Sequence, residues 1–111
     1  MEKYEIIMTP DAISDLKGLN NYISDVLASK YIARSYLDEI RKKISSLAHM
    51  PERIKLMEQE PWHSRGIRYM IVKNFNIYFR IDKTENRVYI LNIIYAKRDQ
   101  LSQLIKNKEH I

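Results

Sequence analysis

Three runs of β-branched and aromatic residues in the second half of the chain constrain its fold more than any other feature. They are residues 67–72 (IRYMIV), 75–81 (FNIYFRI) and 87–95 (RVYILNIIY), separated by the polar stretches KN and DKTEN. Runs of this composition joined by short polar turns predict the strands of an antiparallel meander. The last run is apolar on both faces, which indicates a strand that is central in the sheet or covered on both sides.

The first half of the chain is predicted to form a strand followed by two helices. Residues 3–8 (KYEIIM) have strand composition, and Thr9 and Pro10 follow as an N-cap and a first helical residue. Apolar residues then recur every three or four positions, as they do on one face of a helix. The first stripe is Ile13, Leu16, Ile23, Val26 and Leu27, and after a reset near Ser29 the second is Ala33, Tyr36, Leu37, Ile40, Ile44, Leu47 and Ala48. The opposite faces carry charged residues that we expect to be solvated and without a chemical role, namely Asp15, Lys17, Asp38, Arg41, Lys42 and Lys43.

Together these segments predict an α+β fold in the order β-α-α-β-β-β-α, with an antiparallel sheet packed against an N-terminal helical hairpin. The final helix is predicted within residues 98–108 (RDQLSQLIKNK), whose apolar positions at helical spacing are Leu101, Leu104 and Ile105. Residues 52–64 are predicted to form a loop that Pro61 and Trp62 anchor to the core. Because 111 residues suffice for one core and not for two, we expect residues 1–111 to form a single domain.

Composition excludes several classes of function. The chain has no cysteine, which removes disulfides, thiolate metal sites and cysteine nucleophiles. Its histidines, at 49, 63 and 110, are far apart, and there is no glycine-rich phosphate loop, so we predict neither a metal nor a cofactor. Since no signal segment or long apolar run is present, we expect a cytoplasmic protein with no membrane partner. The net charge of +5 favours an anionic partner such as nucleic acid, although a solvated basic surface gives the same balance.

The candidate functional residues are basic and aromatic and accompany the three predicted strands. His63 and Arg65 precede the first run, Arg68 lies within it, Arg80 lies in the second, and Tyr95, Lys97 and Arg98 end the third. Cleavage of RNA without a metal requires a base, cations that stabilise negative charge on the phosphate, and an acid, and these residue types supply all three. Strand alternation places Arg80 away from the helices if Phe79 is buried.

Each candidate also has a purely structural alternative. Arg68 and Arg80 can equally form ion pairs across strands or on the solvent face. Tyr95 can be an aromatic residue at the edge of the core, and His63 can be an ordinary loop histidine. Residues 97–99 can open the last helix, although two cations at a helix N-terminus oppose its dipole, which favours a functional role for them.

Two segments, GIRYMIVKNFNIYFRID and VYILNIIYAKRDQ, resemble the RelE/ParE superfamily of bacterial type II toxins, which includes plasmid stabilisation proteins. In that family an arginine-containing strand, a strand that ends in R-I/V-D and a last strand that ends in Y-x-R/K-R-D or H-x-R-x-D occur in this order. The resemblance covers essentially the whole chain, and the predicted element order agrees with the family fold. It implies a growth-inhibiting toxin that is held inactive by a cognate antitoxin encoded beside it.

The resemblance implies two possible targets. One branch of the superfamily cuts messenger RNA in the ribosomal A site, and the other poisons DNA gyrase; because both share the fold, the fold does not choose between them. Our first hypothesis is ribosome-dependent mRNA cleavage by a metal-independent endoribonuclease, an mRNA interferase whose partners are the ribosome and mRNA. The alternatives are a DNA gyrase poison and a degenerate, non-catalytic member that only binds its antitoxin.

Carried over residue by residue, the resemblance implies catalytic roles for Arg68 and Arg98, which match an arginine and a late cation of the ribosome-dependent branch. The upstream lysines of RelE members are missing here, where the chain reads EQEPWHSR, and Leu104 stands where their tyrosine falls. His63, Arg65 or Tyr95 can substitute for these groups, and we assign proton transfer to His63 and Tyr95. The residues predicted to bind nucleic acid are Arg65, Arg80 and Lys97.

Overall fold

The computed structural model describes residues 3–26 and 30–95. Its elements are β1 (Glu5–Met8), α1 (Pro10–Val26), α2 (Lys30–Ser46), a 3-10 helix (Pro51–Arg53), β2 (Ile67–Val72), β3 (Phe75–Asp82) and β4 (Arg87–Tyr95). The strands and the two long helices confirm the predicted order from the first strand to the fourth. The predicted last helix, residues 98–108, lies outside the described residues.

The four strands form one mixed sheet in the order β1-β4-β3-β2. The pairs β2–β3 and β3–β4 are antiparallel, which confirms the meander, and β4 is central, as its two apolar faces indicated. β1 instead pairs with β4 in parallel, with Glu5 opposite Arg87 and Met8 opposite Ile90. The expectation of an entirely antiparallel sheet is therefore corrected at this one strand. A local sequence pattern does not reveal a partner that lies at the other end of the chain.

The helices α1 and α2 cover one side of the sheet, which we call the inner face, and the opposite side is the outer face. The side chains with no exposed surface on the inner face include Ala12, Ile40, Leu47, Ile77, Phe79, Val88 and Ile90. Burial of a large aliphatic or aromatic side chain stabilises the fold by about 1.5–3 kcal/mol. The predicted stripe of α1 is wrong at Ile13, which is 43% exposed, because the buried face of α1 runs through Ala12, Leu16 and Leu19.

Thr9 lies between β1 and α1 and hydrogen-bonds to β4. Its hydroxyl accepts a hydrogen bond of 3.2 Å from the backbone N–H of Ala12, which confirms the predicted N-cap of α1. The same hydroxyl donates to the carbonyl of Ile90 at 2.7 Å, and the backbone N–H of Thr9 donates to that carbonyl at 3.1 Å. Thr9 therefore fixes the start of α1 against the central strand.

The charge pattern predicted that Asp15 is solvated and has no role, and this prediction is wrong. Its carboxylate accepts hydrogen bonds from the backbone N–H of Ile93 at 2.9 Å and from the side-chain amide of Asn92 at 3.2 Å. β1 pairs with β4 only as far as Ile90, so the edge of β4 beyond that point needs another acceptor. Asp15 supplies it from α1.

A second, smaller core lies on the outer face. Its buried members are Met57, Trp62, Ile67, Tyr78 and Ile94. Trp62 is 7% exposed, which confirms that this residue anchors the predicted loop. The loop also contains the 3-10 helix, and Leu56 forms a β-bridge with Arg68 at the free edge of β2. The outer face is therefore partly covered by residues that precede β2.

Candidate functional site

Arg68 lies on the inner face of β2 with Met70 and Val72, and its side chain hydrogen-bonds to backbone carbonyls. Its Nη1 donates to the carbonyl of Ile54 and, at 3.4 Å, to the carbonyl of Glu52. Its Nε is buried and has no hydrogen-bond partner within residues 3–26 and 30–95. The guanidinium thus holds the segment around the 3-10 helix against β2, and its donors point away from the outer face.

Arg80 lies on the outer face and is exposed, as the burial of Phe79 predicts. Its guanidinium carbon is 4.3 Å from the centroid of the Tyr89 ring, the residue directly opposite on β4. This distance is a cation–π contact, which holds the guanidinium in one orientation without neutralising it. Within the described part of the chain no carboxylate lies within ion-pair distance of Arg80, so the ion-pair alternative is not what the structure shows.

Arg87 and Tyr89 extend this contact along β4. The Nε of Arg87 donates to a carboxylate oxygen of Glu5 at 3.2 Å. A hydrogen bond with the Tyr89 side chain, together with Glu5, raises the pKa of Arg87 above its usual value. Neither residue was among the functional candidates predicted from the sequence. Their signal was the alternation of Arg87 and Tyr89, which places them on one face of a predicted strand.

His63 and Arg65 lie in the turn that leads into β2. The Nδ1 of His63 is 2.7 Å from the carbonyl oxygen of Met57. Because a carbonyl only accepts, Nδ1 carries the hydrogen, and in the neutral ring Nε2 keeps its lone pair. Arg65 is exposed, and Gly66 then adopts a φ of 76°, a left-handed conformation that glycine adopts without strain.

Tyr95 lies at the opposite end of the sheet from Arg80. Its ring centroid is 5.1 Å from that of Phe75, and the side chain packs against the inner core. This is the position expected of an aromatic residue at the edge of the core. Along β4 the position of Tyr95 is roughly 20 Å from that of Tyr89, at about 3.3 Å per residue. Lys97 and Arg98 lie outside the described residues.

The described candidates therefore do not form one constellation. Arg68 and Tyr95 are on the inner face at opposite ends of the sheet, whereas Arg80 is on the outer face. His63 and Arg65 share a turn at the end where β2 begins. The contacts in the structure bring together a different group, in which Arg80 and Arg87 flank Tyr89.

The part of the outer face nearer the β2–β3 turn carries neutral side chains. Asn76 donates to the hydroxyl of Tyr78 at 3.2 Å, and burial raises the pKa of Tyr78. The ring of Tyr69 lies 5.5 Å from that of Tyr78, and beside it Ile71 is 65% exposed. A groove of about 600 Å³ separates Tyr69, Met70 and Ile71 from residues 55–59. This part of the outer face is suited to apolar contacts.

Comparison with known proteins identifies the family. A family described as "ParE toxin of type II toxin-antitoxin system, parDE" matches residues 6–100. Among solved structures, the chain is similar to the chromosomal ParDE system from P. aeruginosa (TM-score 0.70, 17% identity, 86% of this chain and 98% of that chain covered). It is also similar to a mutant E. coli RelE toxin in the free state (TM-score 0.63, 12% identity, 94% and 96% covered). A RelBE toxin–antitoxin complex from Mycobacterium tuberculosis gives a TM-score of 0.59 at 20% identity, with 84% and 98% covered.

No curated protein sequence matches the chain. At these low identities the solved structures show the fold alone, and they confirm the expected RelE/ParE-like architecture. None of the helices within residues 3–26 and 30–95 is long and apolar enough to cross a membrane. The family match extends from β1 past the end of β4. The chain therefore belongs to the ParE toxin family of type II toxin–antitoxin systems.

Proposed function

We propose that this toxin inhibits growth by binding DNA gyrase and that a cognate antitoxin encoded beside it holds it inactive. The observation that carries the choice of target is the scatter of the described catalytic candidates over both faces and both ends of the sheet. The match to the ParE family favours the same branch of the superfamily. Binding to a large enzyme requires a complementary surface, and it does not require a base and an acid that transfer protons.

RNA cleavage needs its base, cation and acid within hydrogen-bond reach of a single phosphate. Arg68 is bound to the carbonyls of Ile54 and Glu52, so its charge is directed into the fold. Tyr95 packs on Phe75 on that same inner face, at the far end of the sheet. A phosphate on the outer face therefore reaches neither of these two candidates.

The outer face instead offers features of a binding surface. Tyr69 and Ile71 are 38% and 65% exposed, and they border the groove at the edge of β2. Arg80 and Tyr89 lie further along the same face. Tyrosine and arginine are the residue types that are enriched among the dominant contacts of protein interfaces.

The antitoxin part of the proposal is supported by the similar structures. One is a ParDE toxin–antitoxin system and another is a RelBE toxin–antitoxin complex, and both align with most of this chain. The outer face exposes apolar and basic side chains. Because exposed apolar patches promote aggregation unless a partner covers them, this surface supports a tightly bound protein partner.

Ribosome-dependent mRNA cleavage is the second candidate, and one observation favours it. The bond between Nδ1 of His63 and the carbonyl of Met57 leaves Nε2 of the neutral ring as an acceptor, which is the state that a general base requires. Arg65, two residues later, is an exposed cation. This pair supplies a base and a cation without Arg68 or Tyr95.

Inducible expression of the chain in bacteria, with two readouts from the same culture, tests both candidates. The proposal predicts growth arrest, loss of negative supercoiling in a reporter plasmid, and messages that stay intact by primer extension. Breaks at codon boundaries with normal plasmid topology would replace gyrase by the ribosome as the target. Expression without growth arrest would support a non-catalytic member that only binds its antitoxin.

His63→Gln sharpens this test because glutamine keeps a donor for the Met57 carbonyl and lacks a titratable base. If gyrase is the target, the variant arrests growth as the unchanged chain does. If the chain cleaves mRNA through His63, the variant loses both arrest and message breaks. Ser45→Ala, at an exposed position on α2, is the matched control.

A further inference from the structure

Three arginines occupy the end of the sheet at which β2 and β4 begin. Arg80 and Arg87 are on adjacent strands of the outer face, where Arg80 is opposite Tyr89 and Arg87 is opposite Asp82. They are diagonal neighbours, with Cα atoms about 7–8 Å apart. Arg65 precedes Ile67, which pairs with Arg80 on the other side. We call Arg65, Arg80 and Arg87 the arginine row.

The members of the row that flank Tyr89 are held in place by different contacts. The ring of Tyr89 holds the guanidinium of Arg80 through the cation–π contact at 4.3 Å, and within the described residues the Arg80 side chain makes no hydrogen bond. Glu5 takes the Nε donor of Arg87 at 3.2 Å and Tyr89 takes a further hydrogen bond, so that only the remaining N–H groups of Arg87 face other acceptors. A guanidinium that is already oriented loses little conformational entropy when it binds an anion.

The carboxylates around the row are already engaged. Glu5 pairs with Arg87, and Asp82 accepts a hydrogen bond from the backbone N–H of Glu85 within the β3–β4 turn. Arg80 and Arg65 have no acidic partner within the described residues. The row therefore has three cations beside the two carboxylates of Glu5 and Asp82, an excess of the same sign as the net charge of +5 for the whole chain.

We propose that the arginine row, with Tyr89, binds the phosphate backbone of a nucleic acid strand. Arg80 and Arg87 contact neighbouring phosphates, Tyr89 holds Arg80 in its binding orientation, and Arg65 extends the contact past the start of β2. The proposal adds Arg87 and Tyr89 to the sequence-predicted residues Arg65 and Arg80. The proposal does not depend on the gyrase assignment, since it concerns a surface of the free chain.

Fluorescence anisotropy of the purified full chain with labelled single-stranded DNA and RNA of the same sequence tests the proposal. The double variant Arg80→Ala/Arg87→Ala is compared with Arg34→Ala/Lys42→Ala, which removes two exposed cations from α2 and the same total charge. The first variant is expected to weaken binding about tenfold or more, and the control is expected to weaken it much less. Two lost phosphate contacts also reduce the slope of log K against log salt concentration by about 1.4.

Variants at Tyr89 separate its positioning role from a general effect on the fold. Tyr89→Phe keeps the ring beside Arg80 and removes only the hydroxyl that hydrogen-bonds Arg87, so it is expected to weaken binding less than Tyr89→Ala. Tyr89→Ala is expected to weaken binding while the circular dichroism spectrum stays the same. If the affinities for the DNA and RNA oligonucleotides differ, the one that binds more tightly is the nucleic acid that the row prefers. The proposal is overturned if both double variants weaken binding equally, or if the unchanged chain binds neither oligonucleotide.

Discussion

The carboxylate of Asp15 in α1 accepts a hydrogen bond of 2.9 Å from the backbone N–H of Ile93 in β4. Ile93 is 5% exposed, so its N–H has little access to water. We predict that Asp15→Ala lowers the free energy of unfolding by about 2 kcal/mol, because a buried donor loses a charged acceptor. Urea denaturation measures this loss. Asp38→Ala, at an exposed position of α2, should leave the midpoint nearly unchanged, and an equal loss in both variants would contradict the role of Asp15.

Thr9 gives a second prediction about stability. Thr9→Ala removes the cap of α1 and the bond from its hydroxyl to Ile90, so the free energy of unfolding should fall by about 1–2 kcal/mol. Thr9→Ser keeps the hydroxyl and should recover most of that loss. Thermal unfolding of the two variants checks this order, and equal melting temperatures would exclude a role for the hydroxyl.

Arg68 is predicted to act on the loop that it binds. Arg68→Ala frees the carbonyls of Ile54 and Glu52, and we expect faster amide hydrogen exchange in residues 52–57 together with a loss of about 2 kcal/mol in stability. Arg68→Lys keeps the charge but not the forked set of donors, so its stability and exchange rates should lie between those of the unchanged chain and of Arg68→Ala. If amide exchange in residues 52–57 is the same in Arg68→Ala as in the unchanged chain, the contacts of Arg68 do not stabilise this loop.

Glu52 gives the structure a dependence on acid. The Tyr4 hydroxyl donates to its carboxylate at 2.8 Å, and this bond, with smaller effects from the backbone and from Lys83 and Arg68, lowers the pKa of Glu52 below its ordinary 4.5. The carboxylate therefore contributes stability above the unfolded-state pKa, and this stability is lost as the pH falls through the lower folded-state pKa. The melting temperature should fall over this range. Glu52→Gln should weaken that dependence, and Glu58→Gln should retain it.

The outline of the fold was readable from the sequence because composition and periodicity are local. The strands of the meander, the Thr9 cap and the anchoring by Trp62 all follow from neighbouring residues. The parallel pairing of β1 with β4 does not, since it joins two segments that are far apart in the sequence. The exposed Ile13 shows a related limit, because spacing alone does not fix which edge of an apolar stripe contacts the sheet.

The candidate site was less predictable because it depends on which strands are neighbours and in what register. Alternation along β3 placed Arg80 away from the helices, in agreement with the structure. The contact between Arg80 and Tyr89 needed the pairing of β3 with β4, whose register shifts at Tyr78 and Phe79. The attachment of Arg68 to the carbonyl of Ile54 needed the path of a loop that has no sequence periodicity.

The most direct test of the gyrase assignment is a titration of the purified chain into purified DNA gyrase with relaxed plasmid and ATP. We expect supercoiling to fall as the chain is added and to recover when the cognate antitoxin is present in excess. Undiminished supercoiling at a large excess of active, growth-arresting toxin would contradict it.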